Sequence, residues 1–359
     1  MTDQAGPLAD VRVIDLSALL PGPFCAQILA DLGADVLKVE SPAGDAARRM
    51  PSDIHATANR NKRGAVLDLK RDEDRRALLD MAADADVVVE GFRPGVVDRL
   101  GVGYEAVRAR QPAIVYCSIS GFGQDGPRRA RPGHDANYLA AGGALSYSGH
   151  WGEAPRRSGL PVADLAAAAY AAVAILAALH ERRRTGAGGH IDLAMADAAM
   201  AFASVRGGRR LDLTDEGGAH LYPTNELFET KDGSVLSLGA VEEPFWRSVR
   251  LVLVGDESRL ADPRFDDEPG RRAHGAELKE LLAGTFSRRS AADWLELLAP
   301  HDVPVERVAT LAEAAASDGA RGRGIVAELG DQRHVLFPAL RDGVPMARLR
   351  SLAPARSEG

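Results

Sequence analysis

The sequence predicts an α/β protein with a large domain around a parallel β-sheet and a smaller α+β domain. In the first half of the chain, short apolar runs alternate with amphipathic stretches of helical length, which is typical of βαβ units and of a sheet covered on both faces. The chain has 359 residues. This length exceeds one ordinary hydrophobic core and favours two domains.

The elements of the first half follow one another without long gaps. A buried strand is predicted at 11–16, and the next helix has Pro23 near its first turn and Gly33 after its end, as these residues usually stand. The other strands are predicted at 35–40, 65–69, 87–90 and 114–119, and the other helices at 73–83 and 104–110. Ligands of parallel sheets bind beyond the carboxyl ends of the strands. We therefore expect one functional edge, formed by 16–23, 38–42, Lys70, 90–94 and 120–135.

Residues 165–179 consist of Ala, Val, Ile and Leu interrupted only by Tyr170. This run of 15 residues is shorter than the roughly 20 that a membrane-spanning helix needs. It continues directly into the charged residues 180–184. We therefore predict a buried helix with small residues packed closely against protein, and no membrane contact.

After this helix the pattern changes. A short strand at 191–195 and a helix at 196–205 come before residues 207–218, which are rich in Gly, Arg and Asp and predict a linker. A hairpin is predicted over 226–241, turning at Lys231-Asp232-Gly233. Amphipathic helices are then expected at 245–254, 276–286 and 291–298, and a last strand at 334–337.

Composition excludes several classes of protein. The net charge is −7 with scattered basic residues, which argues against nucleic-acid binding. Cys25 and Cys117 are the only cysteines, so neither a disulfide scaffold nor a Cys-ligated zinc site is expected, and no metal site is predicted. The first ten residues are polar and lack the apolar core of a signal peptide. We therefore expect a cytoplasmic protein.

The candidate chemistry lies at Gly133-His134-Asp135 and at Asp164. A histidine beside a carboxylate on a loop, and a second carboxylate where the Ala-rich helix begins, are groups that can take and return protons. Each also has a structural interpretation. Asp164 would serve as a helix N-cap, His134 as a hydrogen-bonding loop residue, and Asp135 as a residue that orients His134, caps a turn, or does both.

Several segments together resemble the class III CoA-transferase family, which includes the α-methylacyl-CoA racemases. The resemblance covers nearly the whole chain in the right order. It is carried by Asp31-Leu32-Gly33-Ala34-Asp35-Val36-Leu37-Lys38-Val39-Glu40, Leu67-Asp68-Leu69-Lys70, Phe92-Arg93-Pro94-Gly95, Gly121-Phe122-Gly123-Gln124-Asp125-Gly126-Pro127 and Arg184-Thr185-Gly186.

The resemblance implies a Rossmann-like large domain built from both ends of the chain and a small domain from the middle. It also implies an interlocked homodimer with active sites between subunits. With the segments above, the expected domains are 1–205 for the N-terminal part of the large domain, 206–224 for the linker, 225–310 for the small domain, and 311–359 for the return to the large domain and the tail.

Two chemistries share this scaffold in the family. Transferases use the carboxylate that matches Asp164 as a nucleophile, forming a mixed anhydride. Racemases use it as a base, together with a histidine that matches His134 and a glutamate that matches Glu242 of Gly239-Ala240-Val241-Glu242. Transferases usually carry Tyr in place of His134, and the formyl-transferring members carry Gln in place of Leu20. The resemblance thus favours an acyl-CoA racemase or epimerase acting on a 2-methyl-branched thioester, with CoA transfer as the alternative.

The expected ligand is the acyl-CoA substrate, with no cofactor beyond its CoA moiety. The resemblance implies CoA contacts from Lys38, Lys70 and Arg99, with Leu69 near the adenine, and from Arg93. Arg60, in the basic cluster Arg60-Asn61-Lys62-Arg63, belongs either to a 3′-phosphate site or to a solvated loop.

Two further segments set limits on these expectations. Residues 121–126 spell G-x-G-x-x-G after a strand, but Pro127 and an Arg-rich loop follow instead of a helix, which excludes a nicotinamide site. The arginines of this loop contact CoA phosphates or solvate a surface. Residues 217–225 differ from the usual racemase pattern by extra residues, including His220. This departure leaves a non-catalytic CoA-binding relative as a third hypothesis.

Overall fold

The computed structural model describes residues 6–50, 52–149, 154, 156–206, 222–329 and 332–350. The chain divides into two compact units. The first comprises Met1–Leu145, Ser158–Val205 and Ala315–Gly359, and the second Ser146–Arg157 and Arg206–Ala314. Most of the predicted linker, and the segment 217–221 that departs from the racemase pattern, lie outside the described residues.

The first unit is built on a six-stranded parallel sheet. Its strands are β1 (Arg12–Asp15), β2 (Asp35–Glu40), β3 (Lys62–Val66), β4 (Val87–Glu90), β5 (Val115–Ser120) and β6 (Gly189–Ala194). They are ordered β3-β2-β1-β4-β5-β6, with every pairing parallel. This is the Rossmann order, in which the strand sequence reverses between β1 and β4. The predicted fold class is confirmed.

The central strands are buried on both faces, which explains their composition. Every residue of β4 and β5 is buried, so these strands are nearly continuous apolar runs without alternation. The helices of this unit are α1 (Pro21–Asp31), α2 (Ile54–Asn59), α3 (Asp72–Ala83), α4 (Val96–Arg99), α5 (Tyr104–Arg108), α6 (Asp135–Ala141), α7 (Val162–Thr185) and α8 (Met195–Ser204). Short 3₁₀ turns lie at Ala46–Arg49 and Ala144–Tyr147.

Helix α7 is longer than the sequence predicted. It has 24 residues and ends at Gly186, whose φ of +72° suits glycine. Among the described residues it is a helix long and apolar enough to cross a membrane by length and composition alone, and 44% of its most apolar window is buried. The argument from length against a membrane span was therefore wrong. The helix is buried on one face only, since Tyr170 and Val173 are exposed.

Two local predictions were also wrong. The third strand is Lys62–Val66 rather than 65–69. Asp68 instead belongs to a turn into α3, where its backbone N–H donates to Asp74 Oδ2 at 2.7 Å. The predicted loop at Gly133-His134-Asp135 ends one residue early, because Asp135 begins α6.

The other elements of this unit are α14 (Asp318–Arg323) and two antiparallel pairs, β10 (Val326–Leu329) with β11 (Gln332–Val335), and β12 (Leu340–Arg341) with β13 (Val344–Pro345).

The second unit is a small α+β structure. Its antiparallel sheet is ordered β7 (Asn225–Glu229), β8 (Val235–Gly239) and β9 (Val305–Arg307). The hairpin between β7 and β8 was predicted, and its Gly233 has a φ of +73°. The helices are α9 (Glu243–Leu253), α10 (Glu268–Ala273), α11 (Gly275–Phe286) and α12 (Ala291–Leu298), with 3₁₀ turns at Ser258–Ala261, Pro263–Phe265 and Ala299–His301, and α13 (Leu311–Ala315) follows. They enclose a core around Trp246, Phe286 and Trp294.

Candidate active site

A cavity of about 490 Å³ opens at the carboxyl edge of the sheet in the first unit. It lies beside the ends of β1 and β4, where the strand order reverses, and this is where open α/β sheets bind their ligands. Its walls come from the segments after β1, β4 and β5 and from the starts of α6 and α7: Ala18, Leu19, Pro21, Gly22, Gly91, Phe92, Arg93, Pro94, Ile119, Ser120, Gly121, Arg129, Arg131, Pro132, Gly133, His134, Asn137, Tyr138, Asp164 and Met195. We call it the larger cavity.

His134 and Asp164 both line the larger cavity. His134 is exposed and directly precedes α6, where its backbone N–H donates to Asn137 Oδ1 at 3.0 Å. Gly133 is required by packing, because a Cβ there would lie 2.8 Å from the ring of Tyr138. Asp164 is the third residue of α7 and is partly buried. Two groups able to exchange protons, 30 positions apart in the sequence, thus face one cavity.

Asp135 holds the start of α7 in place. Its Oδ1 accepts hydrogen bonds from the backbone N–H groups of Ala163 at 2.7 Å and Asp164 at 3.3 Å. A carboxylate at a helix N-terminus satisfies free amides and complements the helix dipole. The structure thus gives Asp135 a role that the sequence analysis did not consider, the capping of the helix that carries Asp164. Asp164 itself is not the N-cap, since Pro161 occupies that position.

Burial of Asp164, and then the nearby charge of Asp135, raise the pKa of the Asp164 carboxyl to about 7. Amides at a helix N-terminus would lower this pKa, but Asp135 occupies those of Ala163 and Asp164. Burial therefore affects the pKa of Asp164 more than the amides of the helix N-terminus do. A carboxyl group with a pKa in this range can act as a base and as an acid near neutral pH.

The cavity also contains polar side chains that the sequence analysis did not single out. Ser120, at the end of β5, is buried, and its Oγ has no hydrogen-bond partner among the described residues. Tyr138 donates from its hydroxyl to the Gly133 carbonyl at 2.6 Å. Burial and then the charge of Asp164 raise the pKa of Tyr138, whereas Arg93 lowers it. Its position at the carboxyl end of a central strand is the sequence feature that could have identified Ser120.

A second cavity, of about 220 Å³, lies along the ends of β1, β2 and β3. We call it the smaller cavity. Its lining includes the predicted CoA contacts Leu69 and Lys70, and it shares Ala18 and Phe92 with the larger cavity. The other residues of its lining are Leu16, Ser17, Val39, Glu40, Ser41, Gly44, Asp45, Leu67, Asp68 and Leu100. The apolar members suit the face of a purine ring.

The structure gives Lys38 a role other than the predicted contact with CoA. Its side chain is 4% exposed, and its ammonium donates to the Ser17 carbonyl and, at 3.2 Å, to Asp45 Oδ2. Asp45 Oδ1 in turn accepts from the backbone N–H of Leu19 at 3.1 Å. Leu19 lines the larger cavity and Asp45 the smaller one. Lys38 therefore supports the walls of both cavities from inside the protein.

Arg60 and its neighbours are also occupied by ion pairs. Arg60 Nη2 lies 2.6 Å from Asp31 Oδ2, and its side chain is 7% exposed. Lys62 is buried and its Nζ lies 2.8 Å from Asp15 Oδ2, while Arg63 pairs with Asp35. The charged side chains of the cluster 60–63 are thus already paired with carboxylates of the same unit, and the assignment of Arg60 to a 3′-phosphate site stays a prediction. Arg99 is exposed at the end of α4, and its contact with CoA stays a prediction.

Glu242 lies in the second unit, directly before α9. Its carboxylate has no hydrogen bond or ion pair with another described residue, whereas the neighbouring Glu243 pairs with Arg271 at 2.6 Å. Of these two glutamates, Glu242 is the one available to another group. Its partnership with His134 stays a prediction.

The fold and these two adjoining cavities define a Rossmann-like α/β protein in which a histidine and a partly buried aspartate line one cavity at the switch point of the sheet. The chain belongs to CoA-transferase family III, whose sequence profile matches residues 8–357.

Individual relatives cover most of the chain. It is 38% identical to succinyl-CoA:mesaconate CoA-transferase of Haloarcula hispanica over 85% of this chain and 82% of the relative. It is 34% identical to α-methylacyl-CoA racemase of Homo sapiens over 88% of this chain and 81% of the relative. The crystal structure of a CAIB/BAIF family protein from Brucella suis matches with a TM-score of 0.83 and 29% identity, covering 97% of each chain. The relatives thus include both transferases and racemases.

Proposed function

We propose that the protein is an acyl-CoA racemase or epimerase that inverts the α-carbon of a 2-methyl-branched acyl-CoA. The observation that carries this proposal is that His134 and Asp164 line one cavity. A thioester carbonyl acidifies its α-hydrogen, because the resulting enolate places negative charge on oxygen. Inversion then requires one group to remove the proton from one face and another to return a proton to the opposite face.

The protonation behaviour of Asp164 supports this chemistry. Conversion of one enantiomer needs Asp164 as a carboxylate, and conversion of the other needs it as a carboxylic acid. A pKa of about 7 supplies both forms near neutral pH. His134 would exchange the second proton, and we assign Glu242 to stabilise its charged form and hold its tautomer.

The two cavities suggest how the substrate lies. The nucleotide end of CoA would occupy the smaller cavity beside Leu69 and Lys70, and the pantetheine arm would pass Ala18 and Phe92 into the larger cavity. Proton transfer on both faces of the α-carbon needs no redox or metal chemistry, so we propose no cofactor beyond the CoA of the substrate.

A homodimer belongs to the same proposal. Exposed apolar side chains lie on α7 and α8 and directly after α8: Tyr170, Val173, Met200, Phe202 and Val205. The rings of Tyr170 and Phe202 meet edge to face at 5.4 Å and so join the two helices in one exposed apolar patch. Exposed apolar patches are typical of interfaces, and we propose a second copy of the chain as the partner of this one. Light scattering after size-exclusion chromatography measures this directly, and a monomeric mass would contradict it.

The decisive experiment follows α-hydrogen exchange in deuterium oxide. With a 2-methylacyl-CoA alone and no carboxylic acid present, we expect deuterium to enter the α-position and the two enantiomers to interconvert. Hydroxylamine should leave no hydroxamate on the protein. If Asp164 is recovered as a hydroxamate during turnover, the racemase proposal is wrong.

CoA transfer is the second candidate function, because curated relatives such as succinyl-CoA:mesaconate CoA-transferase carry that activity in their names. In that reaction the Asp164 carboxylate attacks the thioester carbonyl, and CoA leaves as the thiolate. The thiolate then attacks the Asp164 carbonyl of the mixed anhydride, which releases the donor acid and leaves an aspartyl thioester of CoA. The acceptor carboxylate attacks this thioester, and the released thiolate attacks the acceptor carbonyl of the new anhydride, which gives the new acyl-CoA and restores the Asp164 carboxylate. CoA transfer predicts no α-exchange and a strict need for a carboxylic acid. Tight CoA binding without either reaction would point to a non-catalytic relative.

A further inference from the structure

Arginines line one part of the larger cavity. Arg93 lies in the segment after β4, and Arg129 and Arg131 lie between β5 and α6. All three are exposed, and none has a hydrogen bond or ion pair from its side chain to another residue that the structure describes. Arg48, Arg60 and Arg63, by contrast, all pair with carboxylates. The larger cavity therefore offers unpaired positive charge beside the acid–base pair.

The three arginines lie at different places along the proposed path of the substrate. Phe92 lines both cavities, so the adjacent Arg93 lies near their junction, where the pantetheine arm or a phosphate would pass. Arg129 and Arg131 line only the larger cavity. Arg131 is three residues from His134, a backbone span of at most about 11 Å. Because Arg129, Arg131 and His134 line the same cavity, the far end of a short acyl chain bound at His134 would lie in the space that these two arginines border.

We propose that Arg129 and Arg131 bind a carboxylate at the far end of the acyl group, so that the substrate is the CoA thioester of a short 2-methyl-branched dicarboxylic acid. This inference rests on the proposed function for the position of the α-carbon. A planar guanidinium donates two parallel hydrogen bonds to a carboxylate, and such charge-assisted bonds are strong and directional. A phosphate of CoA presents the same anionic oxygens and is the competing source of the contact.

Two substrates of the same length separate these sources. 2-Methylglutaryl-CoA, esterified at the carboxyl next to the methyl-bearing carbon, and 2-methylpentanoyl-CoA differ only in a terminal carboxylate against a terminal methyl group. We expect the wild-type kcat/KM for α-deuterium exchange to favour 2-methylglutaryl-CoA by about 10- to 100-fold, the scale of one or two hydrogen bonds to a charged group. Calorimetry should show the same preference in Kd.

Variants then locate the contact. Arg129→Gln combined with Arg131→Gln should remove the preference, with a much smaller change for 2-methylpentanoyl-CoA. Arg128→Gln is the matched control, because Arg128 lies on the same loop but stacks over the ring of Phe122 at 5.5 Å and does not line the cavity. That variant should keep the wild-type preference.

The outcomes distinguish this inference from the proposed function. Equal exchange of both substrates in the wild type overturns the inference and leaves the racemase proposal standing. Equal losses for both substrates in the double variant assign the arginines to CoA phosphates and also overturn it. Tighter binding of 2-methylglutaryl-CoA that the double variant abolishes, without exchange of either substrate, supports the inference and contradicts the racemase proposal.

Discussion

Charged side chains are used in opposite ways in two neighbouring parts of the sheet edge. Behind β1, β2 and β3, the buried charges of Asp15, Lys38, Asp45 and Lys62 satisfy one another, with Lys62 2.8 Å from Asp15 and Lys38 3.2 Å from Asp45. Burial alone would raise the pKa of Asp15, but Lys62 and Lys38 outweigh it and lower the pKa. This cluster of paired charges supports the cavity walls.

In the larger cavity the charged side chains are not paired with one another. Asp164 forms no ion pair with a described residue, and burial raises its pKa to about 7. The arginines of the cavity have no carboxylate partner among the described residues either. Buried charge is costly unless it is paired, and perturbed, unpaired groups concentrate at functional sites. The comparison therefore separates residues that hold the fold from residues that meet a ligand, although the sequence makes both sets look alike.

The largest expected effect tests the acid–base pair. In His134→Ala, Asp164 can still deprotonate its own enantiomer, but the opposite face lacks a proton donor. Racemisation should fall by about 10²–10⁴, while solvent exchange survives for one enantiomer only. Asp164→Asn should show the mirror pattern. The measurement is α-deuterium incorporation into each pure enantiomer, and equal loss from both in His134→Ala would make His134 a structural residue.

The next effect tests the paired cluster. Lys62→Met leaves Asp15 buried without its closest cation, so the free energy of unfolding should fall by about 3–5 kcal/mol. Exchange activity per folded molecule should persist, because Lys62 lines neither cavity. Arg63→Gln is the matched control, since Arg63 and Asp35 form an exposed pair worth about 0–1 kcal/mol. Urea unfolding of the three proteins measures the difference, and equal stability of both variants would refute this role of the cluster.

These contrasts show what the sequence could predict. The sheet, the long helices and the β7–β8 hairpin were predictable, because apolar periodicity over many residues reports burial directly. Helices α2, α4 and α6 were missed because, with 6, 4 and 7 residues, they are too short to show a helical period. The shared cavity of His134 and Asp164 was expected through the family resemblance, since nothing in their spacing requires it.

Pairing of charges could not be predicted in the same way. Lys38 and Arg60 were assigned to CoA, but their partners Asp45 and Asp31 are identified only by the folded chain. The capping of α7 by Asp135 likewise joins residues 28 positions apart. Such contacts depend on how elements pack, and packing leaves little trace in a single sequence.

A smaller effect is expected from Asp135→Asn. Burial still raises the pKa of Asp164, but the nearby negative charge is gone, so the pKa should fall below about 7. The enantiomer that needs ionised Asp164 loses activity as pH falls through this pKa, so its acid limb should move to lower pH. The other enantiomer needs protonated Asp164 and loses activity as pH rises through this pKa. Its basic limb should therefore also move to lower pH.

The control for this pH experiment is Glu90→Gln. Burial raises the pKa of Glu90 to about 7 as well, but Glu90 does not line the larger cavity. Its variant should leave both limbs of the kcat/KM profile in place. If the limbs move in Glu90→Gln and stay in place in Asp135→Asn, the pH profile does not report the ionisation of Asp164.

The smallest effect concerns Glu242. If its carboxylate stabilises the protonated imidazole of His134, Glu242→Gln removes that stabilisation without removing the base. Both directions of racemisation should then slow by about tenfold or less, well below the loss for a missing acid or base. Glu243→Gln is the matched control, because Glu243 is engaged with Arg271 and its loss should reduce stability rather than slow racemisation. Identical racemisation rates for wild type and Glu242→Gln would remove Glu242 from the site and leave His134 without a carboxylate partner.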